Sequence, residues 1–188
     1  MIDNLHSQCP DIGVACLYAD YRDQANQTLV RILGTFLHQL LTTARESIPY
    51  EDEVIVRLCG WKNEGWKVTA EDNLALLKLR LNQLKHAYIC IDAVDELELK
   101  VRRQLFNALK ELDIGNTSLF LTGRGHIESE VQEYFQVPER YTIVISANEQ
   151  DIKTFVGQQI IFDPYPDAVD ELLEKEITDA IIKKSQGM

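Results

Sequence analysis

Nowhere in the chain does an apolar run approach the roughly 20 residues that a membrane-spanning helix needs. Met1 is followed by a mixed polar stretch rather than a basic start and an apolar signal core. The expectation is a cytoplasmic protein with no membrane partner. Basic residues are also scarce, 19 Lys and Arg against 30 Asp and Glu, for a formal net charge of -11. A nonspecific grip on DNA or RNA phosphates rests on clustered Lys and Arg, so no nucleic-acid partner is expected. Cysteine is sparse and unpatterned. Cys9, Cys16, Cys59 and Cys90 make no C-x-x-C pair, and none has a His at zinc-ligand spacing, which argues against a metal knuckle or a disulfide framework. Cys16 and Cys90 lie inside apolar runs and read as buried, reduced thiols acting as small hydrophobes. His6, His38, His86 and His126 are scattered, in solvated or capping roles, and internal repeats and low-complexity linkers are absent.

What is present is enough for one well-buried core, with 45% hydrophobic content in 188 residues. Short apolar runs alternate with helical periodicity. GVACLYADY (Gly13–Tyr21) reads as a strand, and Gln27–Arg45 as an amphipathic helix with Leu29, Ile32, Leu33, Phe36, Leu37, Leu40 and Leu41 on one side. A weaker helical stretch, 48–58, breaks at Gly60, and GWKNEGWKVT (Gly60–Thr69) reads as a loop. Thr69 with Asp72 forms a capping box that opens a helix over 70–84. AYICID (Ala87–Asp92) is a strand, 100–112 a helix, TSLFLTG (Thr117–Gly123) a strand, 127–135 a short helix, and YTIVIS (Tyr141–Ser146) a strand. Asn148 caps a helix running to Ile161, and Pro164 and Pro166 separate it from a last helix over 168–184. This order predicts an α/β fold: a three-layer parallel sheet with helices on both faces. The continuous apolar runs AYICI and SLFL fit strands buried on both faces.

The most unusual stretch is AYICIDAVDELE (Ala87–Glu98), an apolar run driven into Asp92, Asp95, Glu96 and Glu98. In open parallel sheets ligands bind beyond the carboxyl ends of the strands, where Asp92 would emerge. A carboxylate held there needs a partner cation. Magnesium is the natural one, since it takes one or two carboxylates and fills its remaining positions with water and phosphate oxygens. A further acid could polarise a water for attack on a phosphoryl group. Apolar runs ending in two acids also occur in metal-dependent phosphohydrolases, in phosphoribosyltransferases and in ordinary loop caps. Asp95, Glu96 and Glu98 also suit a solvated helix N-terminus, and Arg124 could serve a salt bridge to the acids of 128–133.

With its flanking text, the segment resembles the Walker B element of NACHT domains, the nucleotide-switch modules of the STAND class of P-loop NTPases. LFLTGRGHI (Leu119–Ile127) resembles the next strand of that module, which ends in a sensor arginine. GVACLYADYRDQ and HIESEVQEYF are similar to the nephrocystin-like branch, abundant in fungal proteins that carry ankyrin, WD or tetratricopeptide repeats. The resemblance runs over nearly the whole chain. It implies a P-loop NTPase-like fold, with Asp92 as the metal residue, Asp95 or Glu96 as the catalytic, water-polarising acid and Arg124 as the sensor contacting the nucleotide. It implies Mg2+ with ATP or GTP as cofactors of a complete domain, and other NACHT protomers or C-terminal repeat domains as partners. Residues 1–162 would be the partial nucleotide-binding core, and 163–188 the start of a following helical region.

The sequence contains no G-x-x-x-x-G-K-[ST] phosphate cradle. By the resemblance the cradle and the inner strand leading into it would precede GVACLYADY, so the chain is expected to be truncated upstream of them. It is then expected to show no measurable nucleotide affinity at micromolar ligand and to hydrolyse none by itself. The strand order implied is GVACLYADY, AYICID, SLFLTG, with YTIVIS either a strand-wide gap away from the third or collapsed against it. The remaining alternatives are a free-standing interaction module pairing with other NACHT proteins and a metal-dependent phosphoryl-transfer enzyme of another α/β family.

Overall fold

A computed structural model of the chain describes residues 11–42, 52–65, 67–112, 115–145, 148–162 and 169–185. The chain divides into two compact units, Met1–Gln136 and Val137–Met188. The boundary drawn from sequence, between 162 and 163, lies at the edge of a stretch (163–168) outside the described residues, as do Pro164 and Pro166.

In the first unit, β1 (Ile12–Tyr18), β2 (His86–Asp92) and β3 (Thr117–Leu121) form a parallel sheet in the order β1-β2-β3. This is the order expected from sequence. The register sets Cys16 beside Cys90 and Tyr18 beside Asp92. On the other side of β2, Cys90 lies beside Phe120. Between β1 and β2 run α1 (Leu29–Thr42), α2 (Glu53–Glu64) and α3 (Ala70–Gln83). α4 (Leu99–Glu111) joins β2 to β3, and α5 (Glu128–Phe135) follows β3.

Each helix forms where its sequence favours it. α1 buries Ile32, Leu33, Phe36, Leu37 and Leu40 at helical spacing. α3 opens on the predicted capping box: the Thr69 hydroxyl accepts from Asp72 N, and Thr69 N donates to the Asp72 carboxylate at 2.9 Å. The expected break at Gly60 does not occur, because α2 runs through it to Glu64. A glycine inside a helix costs only about 1 kcal/mol relative to alanine. The helix ends instead at Gly65, whose φ of 65° closes it in the left-handed region.

The expected three-layer arrangement is corrected to two layers among the described residues. Gly13 faces Leu40 and Leu84, and Ile89 and Leu119 line one groove with Leu109 of α4 and Tyr134 and Phe135 of α5. The helices therefore pack the sheet face that carries Gly13, Ala15, Ala87, Ile89 and Ile91. On the opposite face Tyr18, Tyr88 and Phe120 are exposed, and only Val14 is buried. The cause is topological. Right-handed crossovers that step twice in the same direction across a sheet put every connecting helix on the same side. Cys16 and Cys90 share the open face, so the two thiols read as buried are half-exposed neighbours.

The two sheet edges differ. At β1, Cys16 N donates to Gln39 Oε1 at 2.6 Å and Gln39 Nε2 donates to Cys16 O at 2.9 Å, so one side-chain amide closes the edge. β3 has no strand partner on its outer side among the described residues. Buried polar groups tie the helices together. Asn73 Nδ2 donates to Val30 O, and Arg80 Nε donates to Leu40 O, with burial lowering the Arg80 pKa.

In the second unit the expected strand over 141–146 is corrected. Glu139–Tyr141 is a 3-10 turn, 142–145 has no regular structure, and Ser146 lies outside the described residues. Ile143, Val144 and Ile145 are more than 80% exposed. β propensity needs a neighbouring strand to become a strand, and among the described residues none flanks this run. Asn148 caps α6 (Glu149–Ile161) by accepting from Gln150 N, as its position predicts. α7 (Glu171–Ser185) completes the unit, in which Ile152, Val156 and Thr178 are buried. No described helix is long and apolar enough to cross a membrane.

Candidate functional site

The parallel register carries the ends of all three strands to one rim. Ala19 N, just past β1, donates to Asp92 O at 3.0 Å, and Thr122 N, just past β3, donates to Ile91 O at 2.9 Å. The chain then turns sharply at Ala93, whose φ of 53° is uncommon for a residue with a Cβ. Thr122 supports that turn three ways. Its hydroxyl accepts from Ala93 N at 2.9 Å and donates to Asp92 Oδ1, and its carbonyl accepts from Val94 N at 2.9 Å.

Beyond the turn, the 3-10 segment Val94–Glu96 presents the next two acids. The Asp95 side chain is 3% exposed. Its Oδ1 accepts from Arg124 N at 3.3 Å, and its Oδ2 lies 3.6 Å from Arg124 Nε. Glu96 Oε1 lies 3.7 Å from Arg124 Nη2, and Oε2 accepts from Tyr21 N at 3.2 Å. Gly123 leaves room for this approach. A Cβ there would sit 2.5 Å from Ile127 Cδ1 and 3.3 Å from Asp95 Oδ1. The structure thus brings Asp95, Glu96 and Arg124 into one ion-paired cluster, with Asp92 three positions before Asp95 on the same rim. Glu98 sits at the N-cap of α4, exposed and without a side-chain capping bond.

Arg124 therefore pairs with the acid loop and not with the acids of 128–133. Glu130 from that run is taken by Arg102, whose Nε and Nη2 donate to Oε2 at 2.9 and 2.8 Å. Arg102 Nη1 also reaches the carbonyls of Asp95 and Leu97. Thr122, Arg102, Gln24 and the Tyr21 amide were not singled out from the sequence. Gln24 Nε2 donates to Glu96 O at 3.3 Å. The only local signal was the position of Thr122 at the end of an apolar run. Near Tyr21, Asp20 accepts from Arg22, and that hydrogen-bonded guanidinium lowers the Asp20 pKa to about 2.

The donors on the rim are hard oxygens, which suits magnesium and not a soft metal. Among the described residues no three His, Cys, Asp or Glu side chains are grouped to hold a metal ion by themselves. Magnesium does not require three, because water and phosphate oxygens usually complete its shell. Asp92 is exposed and held by one hydroxyl, so the residues fit a one-carboxylate contribution.

The fold and rim define a class: an α/β protein with a parallel sheet whose strands end in an acid–arginine cluster. The family profile for nephrocystin 3, N-terminal, matches residues 1–124. The chain belongs to that family, and the match spans β1, β2, β3 and every site residue through Arg124. Comparison with curated proteins and with solved structures gives no match.

Proposed function

We propose that this chain is part of a nucleotide-dependent signalling switch of the NACHT type, in the STAND class of P-loop NTPases, contributing its metal-facing acids and sensor arginine. The observation that carries the reading is the convergence of Asp92, Asp95, Glu96 and Arg124 where β2 and β3 end. Asp92 is the metal residue, oriented by the Thr122 hydroxyl. A bound magnesium ion would offset phosphate charge. Glu96 is better placed than Asp95 to orient a water, because its side chain is 22% exposed and that of Asp95 only 3%. Arg124, exposed at the rim, can reach an anionic ligand.

The sequence holds no glycine-rich cradle with its lysine, and backbone amides with that lysine supply most of the grip on phosphates. ATP or GTP with magnesium should therefore bind this chain weakly, and it should not hydrolyse either by itself. An NMR titration of the chain with millimolar magnesium–ATP tests the reading. Amide shifts confined to 92–96 and 122–124 are expected. Shifts elsewhere, or none, would sink it.

A second reading is favoured by the open sheet face, where Tyr18, Tyr88 and Phe120 are exposed together. It makes the chain an interaction module that pairs with other NACHT proteins. Loss of such pairing on Phe120→Ser, with the 92–124 amides unresponsive to nucleotide, would select it.

A further inference from the structure

We propose that Arg124 is the resident counter-cation of the Asp95–Glu96 pair, held loosely enough that a divalent cation binding beside them at Asp92 must displace it. The inference rests on the reading of this rim as the metal-facing end of a nucleotide site, and it concerns how that site is regulated.

A carboxylate as enclosed as that of Asp95 requires a cation nearby. Among the described residues Arg124 is the only cation ion-paired with Asp95 or Glu96. Arg102 lies close but is committed elsewhere, giving Asp95 only a bond to its backbone carbonyl. The two arginines are held very differently. Arg102 makes short, charge-assisted hydrogen bonds to Glu130 at 2.8 and 2.9 Å and is 11% exposed. The Arg124 guanidinium stands 3.6 and 3.7 Å from its acids, beyond hydrogen-bond length, and is 73% exposed.

The backbone of Arg124 is tethered apart from its guanidinium, since its N–H donates to Asp95 Oδ1. The side chain can swing outward without unmaking the turn. A divalent cation at Asp92, beside the same carboxylates, would repel the guanidinium, so the two compete. By linkage, any anion that draws Arg124 outward strengthens metal binding, and metal binding strengthens that of the anion.

Mn2+ alone, followed by electron paramagnetic resonance, provides the test without nucleotide or turnover. Arg124→Gln should bind Mn2+ about threefold or more tightly than the wild type, a change in scale with exposed ion pairs. Arg124→Lys, which keeps the charge, should stay near the wild type. Adding Asp92→Asn to Arg124→Gln should remove the gain. Equal affinity in wild type and Arg124→Gln, with Asp92→Asn weakening both, overturns the proposal and leaves the site reading standing. A gain that survives Asp92→Asn puts the ion elsewhere and overturns both. Absence of Mn2+ binding by either protein counts against both. If Arg124→Gln fails to fold, the wild-type Arg124 Nε–H NMR signal decides. It should move on Mg2+ titration, and a stationary signal refutes displacement.

Discussion

Arg102 gives two guanidinium nitrogens to a single oxygen of Glu130 and its third to the carbonyls of Asp95 and Leu97. One largely buried side chain thereby joins α4, α5 and the acid loop. The other Glu130 oxygen, Oε1, is buried with no hydrogen bond and has Arg103 Nε only at 3.9 Å. Arg102→Met should leave Glu130 with only the distant Arg103 as counter-charge and lower stability by about 2 kcal/mol in urea denaturation. Arg102→Met with Glu130→Leu should recover most of that loss. If the double variant is no more stable than Arg102→Met alone, the ion pair is not the source.

Thr122 is the hinge pin of the acid turn. Thr122→Val removes the hydroxyl bonds to Asp92 and Ala93 N and should cost about 1 kcal/mol. The Ala93 amide signal should move while those of α6 stay fixed. An unchanged Ala93 signal would contradict this role.

Gln39 closes the β1 edge, so Gln39→Leu should cost about 1–3 kcal/mol by leaving the Cys16 backbone groups unpaired. Hydrogen exchange at Cys16 N should accelerate more than at residues paired with β2. Uniform acceleration across β1 would mean that the whole strand has loosened.

Asp20 carries a pH dependence of definite sign. Its pKa falls from 3.8 to about 2 in the fold through the hydrogen bonds from Arg22. The stability it contributes is present above pH 3.8 and is lost as pH falls toward about 2. Asp20→Asn should flatten the melting-temperature profile in that window, and an identical profile would refute the linkage.

The cysteines should react in order of environment. Cys59 is exposed, whereas burial and the adjacent Cys16 raise the Cys90 pKa. Less thiolate forms at Cys90, so alkylation at pH 8 should modify Cys59 first by peptide mapping. Raised pKa also means that any stability tied to the protonated Cys90 is present below the ordinary thiol range and fades at alkaline pH. Faster labelling of Cys90 than Cys59 would contradict the burial.

Most elements of the first unit could be read directly from local pattern. The spacing of leucines in α1, the capping box at Thr69 and the run that ends at Asp92 each rest on residues within one or two turns of each other. Their physics is local, and the structure agrees. The positions of Asp92, Asp95 and Glu96 are legible in the same way, since they follow a strand. The failures share a different cause. Gly60 reads as a break by propensity, yet a helix capped at Asp52 and closed at Gly65 carries one interior glycine. YTIVI reads as a strand because β-branched residues signal one, yet a strand exists only where another flanks it.

Composition, periodicity and caps determined which segments become helices, which apolar runs enter a sheet and where the acids emerge from it, because each depends on near neighbours in the chain. The sheet faces were decided only in three dimensions. Two right-handed crossovers in one direction leave Tyr88, Phe120 and the Cys16–Cys90 pair on an open face that their sequence assigns to a core. The choice of partner for each arginine was likewise tertiary. Arg102 and Arg124 are both near acids in sequence, but 28 residues separate Arg102 from Glu130 and 29 separate the Arg124 amide from Asp95. Only the stacking of β2 beside β3 brings those pairs within reach.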